Sequence, residues 1–573
     1  MVHCRIGWSL VAASAAFCLT YAMPTRTLET PSAKGVIAQL FSWHSRSVAV
    51  ECQNFLGPAD YKYVQVSPPQ EHVLGSQWWT AYQPVSYKIA STRGTQDEFT
   101  AIIEVCKNAG VKVIVDLVLN HMSAHDDSQA TLSVGTGGTK YRHNWYEGLW
   151  DEDDFHYEPA PNGIDYMVRR SVQWAGLFNI ADLATEKKKV RDRLAQFAQD
   201  LLSMGVEGFR LDAAKHIPAD DLKEVFGRVK GEPYITVEVV EGAGEPIRPE
   251  EYKDLGEVQE FRYVRELHHR FLHGKIEALL HIERNGWIEN ANTFVTNHDT
   301  ERNGEAIAWA STPDSYILAN AWILGFPYGR PTIYSGYQFD NNDAGPPRDG
   351  LDEGNCHQNS RWNCEHRHPG IQGMVGFYNE VSGEDINGVV TLGGNRVAFN
   401  RGSKGFVAFN NMQTPWTLTA STNLPDGWYC EVVDGSLRRD GTCSGRSVLV
   451  SDGTLQLTVG AYSAGAIHTA ARPAKLSPMT ALTFCLRNDT AIGQDMYVKG
   501  TLPELGDNRR DHAVKLAPTS YPLWDEDVYV PKDREFIYRY IVMGPDGGVI
   551  RVSEQRKGYS APGWKDNDCA YTT

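Results

Sequence analysis

The chain is short of positive charge and has no cysteine pair at metal-binding spacing. Its 55 Lys and Arg residues are outnumbered by 71 Asp and Glu residues, which gives a net charge of −16. Nucleic acids and anionic membrane surfaces bind clustered positive charge, so neither is expected as the main partner. The absence of a CxxC pair argues against a cysteine metal site. The absence of a GxGxxG motif after the first apolar strand pattern argues against a dinucleotide-binding fold.

Long apolar runs are missing after the N-terminus. Residues 1–22 place Arg5 before an apolar run that ends in small residues near Ala22, which is the layout of a cleaved secretory signal peptide. No later stretch reaches about 18 uninterrupted apolar residues, so no membrane association is expected. We therefore predict a secreted, extracellular protein.

Eight of the ten cysteines follow residue 22, and an even number in an oxidising compartment predicts disulfides. Two pairs are close in sequence and two would close longer loops. The four predicted disulfides are Cys356–Cys364, Cys430–Cys443, Cys52–Cys106 and Cys485–Cys569.

Short apolar strand patterns alternate with amphipathic helix patterns along the first two thirds of the chain. Strands that are apolar on both faces and separated by helices indicate a parallel sheet. Seven or eight such units predict an α/β fold with a closed (β/α)8 TIM barrel over residues 23–376, and a doubly wound open sheet is the alternative. The strand patterns lie at 35–41, 63–69, 111–121, 208–214, 234–240, 292–299 and 331–337.

The carboxyl ends of these strand patterns carry polar and charged residues. In a barrel of this kind the active site forms at that end of the strands. A single strand-end Asp is usually a helix cap or a surface ion pair, whereas several carboxylates on separate strands indicate a catalytic site. The residues concerned are Asn120, His121, Arg210, Asp212, Glu238, His298 and Asp299.

Four motifs occur in a fixed order along the chain: DLVLNH (116–121), GFRLDAAKH (208–216), EVVEGAGE (238–245) and FVTNHD (294–299). With these motifs the chain resembles the retaining α-amylase family of glycoside hydrolases, in its animal and actinobacterial branch. The resemblance covers roughly residues 34–470 and implies a small domain inserted at about 120–180.

The resemblance implies roles for individual residues. Asp212 is the expected nucleophile, Glu238 the acid/base and Asp299 the third carboxylate, which binds sugar hydroxyls. Arg210 lies two residues before Asp212, so on a strand both side chains share one face and the guanidinium would hold the nucleophile ionised. The other substrate-binding residues implied are His121, His298, Lys215, His216, Trp79, Tyr82 and Gln83.

The resemblance also implies a calcium ion, bound by Asn120, Asp182 and the main-chain carbonyl of His216. Oxygen ligands of this type suit a hard cation. Asp182 could instead cap the following helix. Chloride is not expected, because the position of the family's second basic ligand is matched by Thr332, unless Arg330 takes that role.

Two further units follow the barrel. Residues 377–470 resemble the family's C-terminal antiparallel β-sandwich, 471–479 read as a linker, and 480–573 resemble an additional β-sandwich, a starch-binding carbohydrate module. Asn508 replaces a tryptophan usual in such modules, and a second tryptophan is replaced near Arg551. Binding is therefore expected through Tyr497 and Tyr521, although tyrosines on strands are about as often core residues. Asn488, in an NDT sequence, is a candidate glycosylation site.

These features predict a monomeric enzyme that cleaves internal α-1,4-glucosidic bonds in starch, glycogen and malto-oligosaccharides with retention of configuration. An α-glucosidase or a transglycosylase would use the same carboxylates. A non-catalytic glucan-binding protein should lack one of Asp212, Glu238 and Asp299, and all three are present.

Overall fold

The structure is a computed structural model. It describes residues 35–124, 132–158, 163–347, 356, 360–474, 479–491, 493–566 and 568–569. The predicted signal peptide, 1–22, lies outside the described residues, as do residues 475–478 of the predicted linker.

Eight parallel strands close into a barrel. The first strand pairs with both the second and the last, Ile37 lying opposite Tyr63 on one side and Thr332 on the other, so the sheet has no free edge. This confirms the closed barrel and excludes the open sheet. The strands are Ile37–Leu40, Tyr63–Val66, Lys112–Val118, Gly208–Asp212, Tyr234–Val237, Glu257–Gln259, Ala291–Phe294 and Arg330–Ser335.

The barrel helices alternate with the strands and pack apolar side chains against the barrel; Pro313–Gly325 is buried along most of its length. Gln96–Asn108 shows how the sequence sets such a helix: Thr95 and Glu98 form a reciprocal capping box at its start. Its buried residues recur every three or four positions and face the barrel. The other helices are Ser45–Glu51, Lys188–Ser203, Ala219–Phe226, Phe261–Leu272, Pro313–Gly325 and Pro369–Val381. The last of these crosses the boundary expected at residue 376.

The segment between the third strand and the helix Lys188–Ser203 leaves the barrel, as the inserted domain was expected to do. It contains three short antiparallel strands, Ser133–Val134, Lys140–Arg142 and Trp145–Tyr146, and the helix Arg169–Trp174. That helix packs against the turn Ala214–His216, which follows the fourth barrel strand. The insertion therefore forms one wall of the barrel mouth.

Two antiparallel four-stranded sheets form the unit after the barrel. Their facing apolar side chains make a separate core that includes Phe406, Trp416 and Tyr429. One sheet contains Ile386–Leu392, Arg396–Arg401, Gly405–Asn410 and Ser463–His468; the other contains Trp416–Ser421, Gly427–Cys430, Ser447–Ser451 and Thr454–Val459.

The last unit is a second β-sandwich with its own core, which includes Phe484, Trp524 and Tyr540. The three-stranded sheet contains Met479–Arg487, Ala517–Ser520 and Leu523–Pro531. The facing sheet contains Asp495–Gly500, Val514–Lys515, Glu535–Met543, Val549–Val552 and Arg556–Tyr559.

All four predicted disulfides are present. Cys52–Cys106 joins the turn after the helix Ser45–Glu51 to the helix Gln96–Asn108, and Cys356–Cys364 closes a loop after the last barrel strand. Cys430–Cys443 lies in the first sandwich and Cys485–Cys569 in the second. Within the described ranges, no helix is both long and apolar enough to span a membrane.

Candidate active site

A cleft of about 1150 Å³ opens at the carboxyl ends of the barrel strands. A cleft of this size, lined by aromatic and charged side chains, is typical of a small-molecule binding site. The structure brings together nearly all the residues predicted for substrate binding and catalysis. The predicted residues that line the cleft are His121, Asp212, Glu238, His298, Asp299, Lys215, His216, Trp79, Tyr82 and Gln83.

Arg210 lies beneath the cleft and binds three carboxyl groups. Its side chain is 1% exposed, and one guanidinium nitrogen contacts Asp116 at 2.7 Å and Asp212 at 2.6 Å. The other terminal nitrogen lies 2.7 Å from Glu238. Because Arg210 and Asp212 are two residues apart on one strand, both point inward. One buried cation therefore positions the predicted nucleophile and the predicted acid/base together.

The carboxyl groups outnumber the cation that neutralises them. Burial raises the pKa of Asp116 to about 6, even though Arg210 and the Tyr82 hydroxyl, which donates to Asp116 at 2.8 Å, oppose that shift. Burial also raises the pKa of Asp212, and the charge of Arg210 again opposes the shift. The cluster therefore retains protons to higher pH than separate carboxyls would, which suits chemistry that needs one ionised and one protonated acid.

Two buried histidines flank the carboxyl groups. Burial lowers the pKa of His121 to about 4, and its Nε2 donates to the main-chain oxygen of Tyr82 at 2.9 Å. Burial also lowers the pKa of His298, whose ring stacks between Phe41 and Tyr82. Both histidines are therefore neutral hydrogen-bonding groups. His298 Nε2 lies 3.4 Å from Asp299, whose side chain is 43% exposed to the cleft.

The aromatic side of the cleft is built from the turn Trp78–Tyr82. Trp79 is half-buried and donates to Asp343 at 3.3 Å. Trp78 packs edge-on against Phe41 and Tyr82, so it supports the site from below. This arrangement leaves the Trp79 ring at the cleft surface as a face on which a sugar can stack.

The opposite side is built from the turn after the fourth strand and from the insertion. Lys215 is an ion-pair partner of Glu245, donates to the carbonyl of Val240 at 2.6 Å and lies 4.8 Å from the ring of Tyr166. Burial lowers the pKa of His216 to about 4, and its Nδ1 bonds the carbonyl of Val172 at 2.8 Å. These contacts connect the insertion to the barrel.

Phe178 occupies the rim of this side of the cleft. Its side chain is 88% exposed, although it is a large apolar residue. Its backbone has a φ of 49°, in the left-handed region that a bulky side chain rarely adopts. Strain of this kind concentrates at functional sites. The arrangement makes Phe178 a second candidate sugar-stacking surface.

Sequence reasoning did not assign four of these residues. Asp116 opens the DLVLNH motif. On a strand it shares a face with Val118, two residues later, and this spacing was a usable signal that the acid faces inward. Glu245 is the last residue of the EVVEGAGE motif, and its place in that motif was the signal for it. The roles of Tyr166 and Phe178 carried no local signal, because they depend on how the insertion folds back over the barrel.

Two of the three predicted calcium ligands lie side by side. The Asn120 amide is 3.3 Å from Asp182, both residues are buried, and burial raises the pKa of Asp182 to about 6. The second oxygen of Asp182 contacts His156 at 2.7 Å. If the amide is turned, Asn120 and Asp182 present two neighbouring oxygen atoms, the ligand type that suits a hard cation. These two residues therefore have the chemistry of calcium ligands, and the carbonyl of His216 stays the remaining predicted ligand.

One other cluster of metal-type ligands occurs in the described part of the chain, at Glu51, Cys356 and His366. The sulfur of Cys356 is bonded to Cys364. Glu51 is paired with His366 at 2.7 Å and with Arg367. These groups satisfy one another, so no metal is assigned to them.

Arg330 does not stand in for the missing chloride ligand. Its guanidinium is paired with Glu257 at 2.8 Å and donates to the carbonyl of Gly35 at 3.1 Å, at the amino ends of the strands. Thr332 occupies the matching position and accepts from Asn292 at 2.9 Å. Chloride independence stays a prediction.

The structure contradicts the prediction for Tyr497 in the C-terminal module. Its side chain is 1% exposed and packs against Ala513, Ile541 and Met543, so it offers no ring to a sugar. Tyr521 is 55% exposed, and its hydroxyl donates to the carbonyl of Thr490 at 3.1 Å. Asn488 is partly exposed, and its glycosylation stays a prediction.

A closed barrel with acids gathered at the carboxyl ends of its strands, followed by two β-sandwiches, places the chain among multidomain TIM-barrel proteins with a candidate active site. Comparison with known proteins identifies the family. The chain matches the alpha amylase catalytic domain at residues 76–260, the alpha amylase C-terminal all-beta domain at 391–470 and a starch binding domain at 479–565.

Relatives and solved structures agree. An alpha-amylase of Streptomyces violaceus is 38% identical over 567 residues, covering 96% of each chain. One of Thermomonospora curvata is 39% identical over 590 residues, covering 97% of this chain and 94% of the relative. The crystal structure of alpha-amylase I from Eisenia fetida is 32% identical with a TM-score of 0.71, covering 76% of this chain and 97% of that one. The chain belongs to the alpha-amylase family of glycoside hydrolases and carries a C-terminal starch-binding domain.

Proposed function

We propose that the protein is an endo-acting alpha-amylase that hydrolyses α-1,4-glucosidic bonds in starch, glycogen and malto-oligosaccharides with retention of configuration. The observation that carries this proposal is the contact of Arg210 with both Asp212 and Glu238 at the floor of the cleft. Retaining glycosidases need two carboxyl groups only about 5 to 5.5 Å apart, and a shared guanidinium favours such a short separation.

In the first step, ionised Asp212 attacks the anomeric carbon while Glu238 donates its proton to the departing glycosidic oxygen. The carbon–oxygen bond to the leaving chain breaks, and a glycosyl ester on Asp212 forms. Arg210 keeps a positive charge at 2.6 Å from Asp212, which favours the ionised form that attacks.

In the second step, Glu238 takes a proton from water as the water oxygen attacks the same carbon. Asp212 leaves as a carboxylate, and the two inversions together give retention. His121, His298 and Asp299 would bond the hydroxyls of the sugar being cleaved. Lys215 and His216 would contact the part of the glucan chain that leaves. The part on the other side of the cleaved bond would be contacted by Trp79, Tyr82 and Gln83.

Release of reducing ends from soluble starch tests the assignment. Asp212→Asn removes the nucleophile, so turnover should fall by at least about 10⁴-fold while thermal stability is retained. The matched control is Asp220→Asn, the same change at a side chain that is 93% exposed on a barrel helix; it should keep full activity. Near-normal hydrolysis by Asp212→Asn would overturn the assignment.

We further propose that Asn120, Asp182 and the carbonyl of His216 hold a calcium ion. Bound there, the ion would supply charge that neutralises the buried Asp182 carboxylate. It would also join the insertion to the barrel wall that carries His216. The proposal also includes three features of the whole chain: the monomeric state, secretion after a signal peptide at 1–22 and a separate module at 480–573. Glycan attachment at Asn488 is a further part of it. The boundary expected at 376/377 is not kept, because the helix Pro369–Val381 crosses it.

A further inference from the structure

The starch-binding module is docked on the first β-sandwich. The main-chain NH of Ala461 donates to the carbonyl of Asp511 at 3.0 Å, and His512 lies 3.1 Å from Asp434. Arg446 pairs with the same Asp434 carboxylate at 2.7 Å. These directional contacts fix the two units relative to each other.

A pocket of about 220 Å³ lies where the two units meet. Trp428 from the first sandwich and Tyr529 from the module stand edge-to-face in its wall, with ring centroids 6.1 Å apart. Tyr529 is 51% exposed, and Trp428 is half-buried. The pocket is smaller than the roughly 300 to 1000 Å³ of drug-sized ligand sites, so it suits a short segment of a ligand.

Polar groups surround the aromatic pair. Gln456 and Asp527 are exposed at the pocket, and Gln456 bonds Glu526 across the junction. Glu504 also lines the pocket; it is 7% exposed, and its Oε2 has no hydrogen-bond partner among the described residues. A buried carboxyl oxygen without a partner is costly, and a hydroxyl-bearing ligand would relieve that cost.

Of the two tyrosines predicted to bind sugar in the module, only Tyr521 is exposed, because Tyr497 is buried. Asn508 replaces a tryptophan usual in such modules, as predicted from the sequence. Apolar ring faces flanked by carboxyl and amide groups match a pyranose ring, which has C–H faces and hydroxyl edges. We propose that the junction pocket, lined by Trp428, Tyr529, Gln456, Glu504 and Asp527, binds a segment of an α-glucan chain, separately from the catalytic cleft.

The test is adsorption of the full-length chain to granular starch in the cold, in an Asp212→Asn background that prevents hydrolysis. Tyr529→Ala should weaken adsorption about fivefold, the scale of one lost aromatic contact. Tyr559→Ala is the matched control, since it removes a tyrosine that is 47% exposed on the same module and does not line the pocket. It should leave adsorption unchanged.

A second pair of variants separates binding from docking. Asp527→Ala removes an exposed carboxyl group and should weaken adsorption without lowering the melting temperature. Gln456→Ala also removes the bond to Glu526 across the junction, so its adsorption is measured well below its own melting temperature, where it should be weakened as well. When the same substitutions are made in the active enzyme, which keeps Asp212, hydrolysis of maltotriose should match that of the parent because the catalytic cleft is untouched. Unchanged adsorption in Tyr529→Ala, Gln456→Ala and Asp527→Ala would overturn the proposal. So would losses that always accompany a lower melting temperature. Neither outcome bears on catalysis at Asp212.

Discussion

At the scale of single residues, Arg210 explains why a strand that begins in the core ends in charge. Its burial at 1% exposure is tolerated because Asp116, Asp212 and Glu238 all lie within 2.7 Å of it. A buried cation without such partners would be strongly destabilising. The same pairing sets the charge of the carboxyl cluster, so structure and proposed chemistry depend on one side chain.

Phe178 yields a prediction at this scale. Phe178→Ala removes an exposed ring from the cleft rim and should raise KM for maltoheptaose about fivefold with little change in kcat, because the ring would act by binding. Phe178→Tyr keeps a ring at the same backbone position and should retain the parental KM. Steady-state kinetics with both variants decide the matter, and an unchanged KM in Phe178→Ala would exclude the stacking role.

At the scale of elements, the barrel was predictable because seven of its strands are apolar runs separated by helices. The sixth strand, Glu257–Gln259, escaped prediction, since it is three residues long and its buried ends are polar. Those ends are satisfied by tertiary contacts: Glu257 pairs with Arg330, and Gln259 accepts from Arg210 at 3.5 Å. Such partners are distant in sequence, so no local sequence pattern predicts them.

Tyr497 shows the same limit. Its strand was predicted, but the face it presents is covered by packing inside the module and beside Arg396 of the first sandwich. Alternation along a strand gives the side on which a residue lies and does not say whether another unit covers that side. Most catalytic candidates were predictable because their motifs are local, whereas Phe178, Tyr166 and the junction pocket depend on assembly.

The insertion provides the calcium prediction. Removal of the ion with EDTA should lower the melting temperature and reduce activity, because the buried Asp182 carboxylate loses its neutralising partner. Re-addition of Ca²⁺ should restore both, and Asp182→Asn should abolish the response to EDTA. Differential scanning calorimetry with parallel activity assays measures this. If EDTA left both properties of the parent unchanged, the site would be refuted.

At the scale of the whole molecule, docking of the module creates buried charge between units. Glu504 lies on the turn Pro503–Leu505, and burial raises its pKa from 4.5 to about 7, with Arg446 opposing the shift and Asp507 adding to it. A carboxyl whose folded pKa is raised stabilises the fold fully below its unfolded pKa of 4.5. That contribution is lost as the pH rises through about 7.

This linkage gives a pH prediction. Between about pH 5 and pH 8 the melting temperature of the parent should fall, and Glu504→Gln should reduce that fall because the amide has no proton to lose. Glu535→Gln, the same change at an exposed strand position of the module, is the control and should preserve the parental slope. A slope unaffected by Glu504→Gln would show that this carboxyl does not carry the dependence.

The proposed function requires that one barrel cleaves α-glucosidic bonds by two displacements at the same carbon. Proton NMR of a malto-oligosaccharide digest, recorded before mutarotation, reports the configuration of the newly formed reducing end. A double displacement predicts that the α-anomer appears first and the β-anomer only later by equilibration. Initial release of the β-anomer would contradict the role of Asp212 as nucleophile and the mechanism built on it.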